Sequence, residues 1–307
     1  MAHAAGVRLP FEKLPAVVRA WVERSLGSVV VSAVTQQGGF SPGVAARLVT
    51  ASGRRAFVKT VGTALNPKTP ELFRQEITAM QAIVTVPMAP VLYDVYDDGD
   101  WVGMLFEDIE GRLPAHPWEQ ADADRVLGAL DELTDALDPS PWPDAPVAAV
   151  RSREFLSRWD NVLEDGLAVP SWMDGRVEEF AELARTGLRA LAEGKALAHW
   201  DLRADNIILT DDRVVFIDWA HPALAPRWAD TVIVHADMRG SVTLPELPDS
   251  PDSPDGLAIT GFIAAIGGGQ WWGSAQPAPP GLPTVRTWQR ETALVHLDWV
   301  RERTQRF

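Results

Sequence analysis

A chain of 307 residues with no cysteine, 42 acidic against 28 basic residues and a formal charge of -14 excludes disulfides, thiolate catalysis and cysteine zinc sites. That charge also argues against a nucleic-acid partner, because neutralising a phosphate backbone needs clustered Lys and Arg. The charge fits solubility first, with long-range steering of a cationic partner the lesser reading. The length suffices for two units with separate cores, and the 46% apolar share is ordinary for a globular protein.

The opening "MAHAAGVRLPFEKLP" lacks the basic-then-apolar layout of a signal peptide, and no internal repeat is visible. Residues 11 to 26 space apolar groups at helical intervals and end at Gly27, a C-terminal cap. "SVVVSAVTQ" is β-branched and alternating, and "VAARLVTASGRRAFVKTV" reads as two strands joined by a turn at Ser52 and Gly53. Residues 70 to 84 carry Pro at the start and a helical apolar face. "PVLYDVYDDGDWVGMLFEDI" is a second hairpin, turning at Asp98 and Gly99. Residues 1–106 thus read as a small antiparallel sheet with one helix against it.

The pattern changes after Gly111. Helices are expected at 120–138, 151–163 and 175–193, then a polar loop and two short strands, then helices near 226–238, 257–266 and 284–305. "LPELPDSPDSPD" and "QPAPPGLP" are exposed loops, and "LAITGFIAAIGGG" is too short and glycine-rich to span a bilayer. The expectation is an α+β chain of two lobes: a sheet-rich one over 1–106, a hinge at 107–111 and a mainly helical one over 112–307. No membrane partner and a cytoplasmic location are expected. A cleft between lobes suits a small ligand.

Three stretches can carry chemistry. "TQQGGFSPGVAARL" places Gly38, Gly39, Phe40, Ser41 and Gly43 between two strands, where backbone N–H groups can nest a phosphate; a plain turn is the competing reading. Lys59 falls on the next strand among apolar residues, as an edge or snorkelling residue or as a cation beneath that nest. Glu76 on the following helix could orient it; Glu71, in the first helical turn, suits a capping role better. The third stretch, "HWDLRADN", fits H-x-D-x-x-x-x-N and is followed by the strand "VVFID". Asp201 could accept a proton from an attacking hydroxyl, while Asn206 and Asp218 offer the hard oxygens that suit Mg²⁺. His199 suits bracing of the loop.

Glycine loop, strand Lys, helix Glu, hinge, polar loop and strand-end Asp occur in the order of a nucleotide-dependent phosphotransferase. With "HWDLRADNIIL" and "VVFIDW", the chain resembles the aminoglycoside phosphotransferase family, a branch of the protein-kinase-like fold. Asp218-Trp219 stands where protein kinases carry Asp-Phe-Gly, and no Ala-Pro-Glu segment follows. The resemblance implies that Lys59 contacts the α- and β-phosphates of ATP or GTP and that Glu76 holds Lys59. It implies that the backbone from Glu107 through Asp108 to Ile109 meets the base, that Asp201 positions or deprotonates the acceptor hydroxyl, and that Asn206 and Asp218 hold Mg²⁺. Asp230 in "RWADTV" matches a later family Asp of structural character. The implied acceptor is a small molecule: an aminoglycoside or other amine, or a choline-like or sugar alcohol. A nucleotide-binding module without transfer activity is the remaining alternative. For a cationic acceptor, Asp205, Asp237 and Glu164 are candidate carboxylates. Trp200, Trp219, Trp271 and Trp272 offer stacking faces, with core packing the competing role.

Overall fold

The computed structural model describes residues 8–36, 43–248, 254–279 and 284–305. In chain order the elements are α1 (Ala16–Leu26), β1 (Val30–Thr35), β2 (Val44–Thr50), β3 (Arg55–Gly62), α2 (Thr69–Ala82), β4 (Leu92–Asp97) and β5 (Trp101–Phe106). Then follow α3 (Gln120–Ala136), α4 (Ala148–Arg151), α5 (Arg153–Leu156), α6 (Arg158–Glu164), α7 (Val177–Leu191), β6 (Ala196–Ala198), β7 (Ile207–Leu209), β8 (Val214–Phe216) and β9 (Ala223–Ala225). Helices α8 (Ala229–Met238), α9 (Pro254–Ser274) and α10 (Val285–Thr304) complete the chain.

These elements form two compact units. One holds the chain up to Pro114 together with Asp205–Pro222; the other holds Ala115–Ala204 and the chain from Ala223 onward. The first contains a five-stranded antiparallel sheet in the order β1-β2-β3-β5-β4. Both expected hairpin turns form, with Gly53 and Gly99 at positive φ. Helix α1 starts only after Pro15, because Pro10 and Pro15 confine Phe11–Lys13 to a separate 3₁₀ turn. It then buries Val18, Trp21, Val22 and Leu26, a helical stripe. Helix α2 packs on β3 and β5. Hairpin β7–β8 joins this unit: Arg112 and Leu209 exchange backbone hydrogen bonds, and the Phe216 N–H donates to the Met88 carbonyl.

The second unit is mainly helical around one apolar core that includes Trp159, Phe180, Phe262, Ile263 and Trp271. Helix α9 packs against both α7 and α10. It runs well past the expected end at residue 266, through Gly267, Gly268 and Gly269. Glycine is a poor helix former, so burial of both flanks overrides local propensity here. Conversely, the helix expected at 151–163 breaks into α4, α5 and α6, with Ser152 and Ser157 outside helical geometry at ψ of 11° and 10°. A two-stranded ladder of β6 and β9, absent from the sequence reading, holds the ends of the polar loop region together.

Helices α7 and α9 cross at glycines. A Cβ on Gly261 would lie 2.2 Å from the Leu183 carbonyl oxygen, and one on Gly187 would lie 2.3 Å from the Phe262 nitrogen. Gly261→Val should therefore force the helices apart and cost about 1–3 kcal/mol of stability, the usual overpacking range. Urea unfolding measures this; an unchanged midpoint would mean the crossing relaxes without strain.

Candidate active site

Glu76 is the single carboxylate in the buried stripe of α2, among Phe73, Ala79 and Met80. Lys59 stands on β3, paired in register with Ala45 on one side and Met104 on the other. Its ammonium donates to Glu76 Oε2 at 2.6 Å and to Asp218 Oδ1 at 2.6 Å. The Phe73 ring centroid lies 5.0 Å from Nζ. Side-chain exposure is 11% for Lys59 and 2% for Glu76, so both charges depend on each other rather than on water. Burial pulls the Lys59 pKa down, but the charges and hydrogen bonds of Asp218 and Glu76 outweigh it and hold it above its ordinary value. Burial pushes the Glu76 carboxyl up to about 7, against the opposing charge of Lys59. Glu71 is exposed and lies 3.9 Å from Arg74, so the structure settles that pairing on Glu76.

Hairpin β7–β8 brings Asn206 and Asp218 to one end of a short ladder. Ile207 pairs with Phe216, and the Ile217 N–H donates to the Asn206 carbonyl at 2.9 Å. Asn206 is buried, and Asp218 adopts φ 66°, a left-handed conformation that is costly for a residue other than Gly. Among the described residues no cluster of three or more His, Asp or Glu could hold a metal. An amide and a carboxylate oxygen at one hairpin end still fit Mg²⁺, which takes one or two protein oxygens and draws the rest from phosphates and water.

Gly38, Gly39, Phe40 and Ser41 lie outside the described residues. Gly43 sits directly before β2 at φ 122°, where a Cβ would lie 2.2 Å from the Thr60 carbonyl oxygen, so only Gly fits. In the 107–109 segment the Glu107 N–H donates to the Val91 carbonyl, and the Glu107 carboxylate accepts from the Val91 N–H and pairs with Arg213 at 2.7 Å. The Asp108 carboxylate is 3% exposed between Arg47 and Arg55, and the Ile109 carbonyl accepts from Arg47.

In the helical unit, Asp230 braces the polar loop. Its two carboxylate oxygens accept from the His199 N–H at 2.6 Å and the Trp200 N–H at 2.9 Å. Burial raises its pKa to about 6, against those two donors, which favour the charged form. Trp200 is held at φ 70° by this clamp, by an indole bond to Ser152 Oγ at 2.9 Å and by stacking on Phe262. The Asp201 N–H then points at His199 Nδ1, 3.4 Å away. Buried His199 thus lies beneath the loop, while the Asp201 carboxylate is about one third exposed and 3.6 Å from the Arg203 guanidinium.

A family model described as the phosphotransferase enzyme family, APH, matches residues 37–249, more than half of the chain. The chain belongs to this family. It is therefore a small-molecule phosphotransferase. Searched as a sequence, the chain matches no curated protein. Among solved structures, the phosphotransferase is similar to a thermostable mutant of aminoglycoside phosphotransferase APH(4)-Ia in a ternary complex with ADP and hygromycin B. The TM-score is 0.58 at 12% identity, covering 94% of this chain and 99% of that one. The apo form of that enzyme gives 0.54 at 11% identity, covering 94% and 98%. At such identity the likeness is one of fold. It bears out the α+β, protein-kinase-like architecture expected from the sequence.

Other site expectations fare differently in this phosphotransferase. Asp237, a candidate for binding a cationic acceptor, is engaged within the fold: its Oδ2 accepts from the Trp118 indole at 3.0 Å and the Ala204 N–H at 2.9 Å. Glu164 is exposed on α6, and Asp205 groups with the sheet unit. Trp219 is fully buried and donates to the Phe216 carbonyl. One face of Trp271 is covered by Arg290 and one face of Trp272 by Arg158, at 3.2 Å and 3.9 Å. These three indoles pack and brace. Sequence reasoning passed over Ser152, which carries no motif signal, and Arg203, which stands at an unspecified position of the H-x-D-x-x-x-x-N stretch.

Lys59→Met should strand Glu76 as a buried charge and cost about 3–5 kcal/mol. The folded-state carboxyl, already raised to about 7, would rise further, while the unfolded chain keeps its ordinary 4.5. The folded variant then binds more protons than the unfolded chain between those values, so its stability falls as pH rises through that window. Unfolding in urea at about pH 5 and about pH 8 reads this. The deficit against the parent protein should be larger at the higher pH, and equal deficits would contradict a stranded charge.

Proposed function

We propose that this protein transfers the γ-phosphoryl group of Mg-ATP to a hydroxyl of a small-molecule acceptor, with aminoglycoside-like amines the first class to try. The observation that carries this reading is the Lys59 ammonium held between Glu76 and Asp218. A buried cation fixed in this way is preorganised for phosphate and costs no reorganisation during reaction. In this reading Lys59 binds the α- and β-phosphates and Glu76 keeps it in place. The Glu107 carbonyl and the Ile109 N–H meet the base, since the Glu107 N–H and the Ile109 carbonyl already serve the fold. Asn206 and Asp218 would hold Mg²⁺, which supplies charge neutralisation across the phosphates.

Asp201 would orient the acceptor hydroxyl and take its proton. The acceptor oxygen bonds to the γ-phosphorus as the bond to the bridging oxygen of ADP breaks, and ADP leaves with that electron pair. Most of the rate comes from positioning and electrostatic stabilisation. His199 and Asp230 act only by holding the loop. The neighbour solved with ADP and hygromycin B supports ATP and an amine-bearing acceptor as the starting choices.

A second reading, an uncharged or zwitterionic alcohol as acceptor, is favoured by two observations. Asp237 is occupied by Trp118 and Ala204, and the group beside Asp201 is the cation of Arg203. A cationic acceptor would meet that guanidinium at the reacting carboxylate.

ADP release from Mg-ATP against a panel of aminoglycosides, choline-like amines and sugars tests both readings. Acceptor-dependent release should fall about 10²–10⁴-fold in kcat in Asp201→Asn, with little change in nucleotide KM. Lys59→Ala should raise nucleotide KM as well as lower kcat. Chelation of Mg²⁺ should stop turnover. Unchanged kcat in Asp201→Asn would refute its assignment as the base, and no nucleotide binding at all would refute the kinase reading.

A further inference from the structure

The chain upstream of α1 meets the sheet beside the candidate phosphate site. Arg8 forms a parallel bridge with Gly43, and the Leu9 N–H donates to the Gly43 carbonyl at 3.0 Å. Gly43 is the last glycine of the glycine-rich segment, two residues before Ala45, which pairs with Lys59. The contact is not a loose tail, because Phe11 and Leu14 just downstream are buried in one apolar cluster with Val18, Trp21, Val44 and Leu48. Arg8 is itself half-buried, and its guanidinium lies within electrostatic reach of Asp218. Burial disfavours its charge and the Asp218 carboxylate offsets part of that.

The charges explain what such a cation could do. Lys59, Glu76 and Asp218 together carry one net negative charge when all are ionised, which opposes an incoming nucleotide. Arg8 brings that sum to zero. A guanidinium also presents paired donors that match phosphate oxygens, which a lysine cannot reproduce. We propose that Arg8 is a phosphate-binding residue of the nucleotide site, its guanidinium taking terminal phosphate oxygens when nucleotide binds. The proposal rests on the kinase reading of the Lys59 site. It adds a ligand from outside residues 37–249, the stretch the family model matches.

Titration calorimetry of the full chain with Mg-ATP, Mg-ADP and adenosine, for the parent protein, Arg8→Ala and Arg8→Lys, tests it. Arg8→Ala should weaken Mg-ATP by about tenfold or more, the loss of one charge-assisted contact. Mg-ADP should weaken less and adenosine not at all, with Arg8→Lys intermediate. In turnover, the loss should fall on ATP KM more than on kcat. If the parent binds Mg-ATP and Arg8→Ala binds it equally well, Arg8 has no phosphate role and the kinase reading stands. Equal weakening of adenosine and Mg-ATP would show a structural role and overturn the proposal. Tighter Mg-ATP binding in Arg8→Ala would mark Arg8 as a mere counter-ion of Asp218 and overturn it as well. If the parent bound none of the three probes, the kinase reading itself would fall.

Discussion

One buried ammonium organises the sheet unit. Lys59 bonds to a carboxylate 17 residues away on α2 and to another 159 residues away beyond β8. Three pieces of chain, β3, α2 and the β7–β8 hairpin, are therefore tied at one point. An unpaired ammonium there would be expensive, so the two carboxylates are required by the position and are not ornaments on it. The hairpin that supplies Asp218 is held by further bonds, from Phe216 to Met88, between Arg112 and Leu209 and between Arg213 and Glu107. Removing the ammonium would leave two acids facing each other, one of them, Glu76, shut away from water.

The helical unit solves a related problem with an anion. Asp230 is buried and satisfied by two backbone N–H groups of the loop it braces. Among the described residues the only non-glycine positions at positive φ are Trp200 and Asp218. Each such conformation costs roughly 1–3 kcal/mol and persists only where surroundings over-determine it. One stands directly before the candidate base and the other is the candidate metal ligand. Among the described residues, positive-φ strain outside glycine thus falls at the candidate metal ligand and beside the candidate base, and the Asp230 clamp holds the second of these.

The local elements were legible where turn chemistry and periodicity agree. Gly53 and Gly99 mark hairpins, the Val18, Trp21, Val22 and Leu26 stripe marks α1, and Glu76 betrays itself as an acid in an apolar helical face. Legibility failed where long-range packing outvoted local preference. The helix was expected to end near residue 266, just before Gly267, Gly268 and Gly269, yet neighbours on both sides keep α9 going. The α4 to α6 region looked like one helix and is three. Asp237 was named for its charge alone, and the bond of its Oδ2 to Trp118, 119 residues away, was not legible. The β6–β9 ladder is only three residues long per strand, too short for a periodic signal.

By itself the sequence determined the fold class and the inventory of reactive groups, because spacing within a helix turn, a hairpin or an eight-residue loop is a local property. It named Lys59, Glu76, Asp201, Asn206 and Asp218, and could not choose between Glu71 and Glu76 except by position in the helix. Only the tertiary structure decided which carboxylates share the ammonium and which acid braces the polar loop. Those outcomes depend on burial and on pairings between distant segments. A buried charge must find a partner wherever the fold brings one, and sequence distance says nothing about who that partner is.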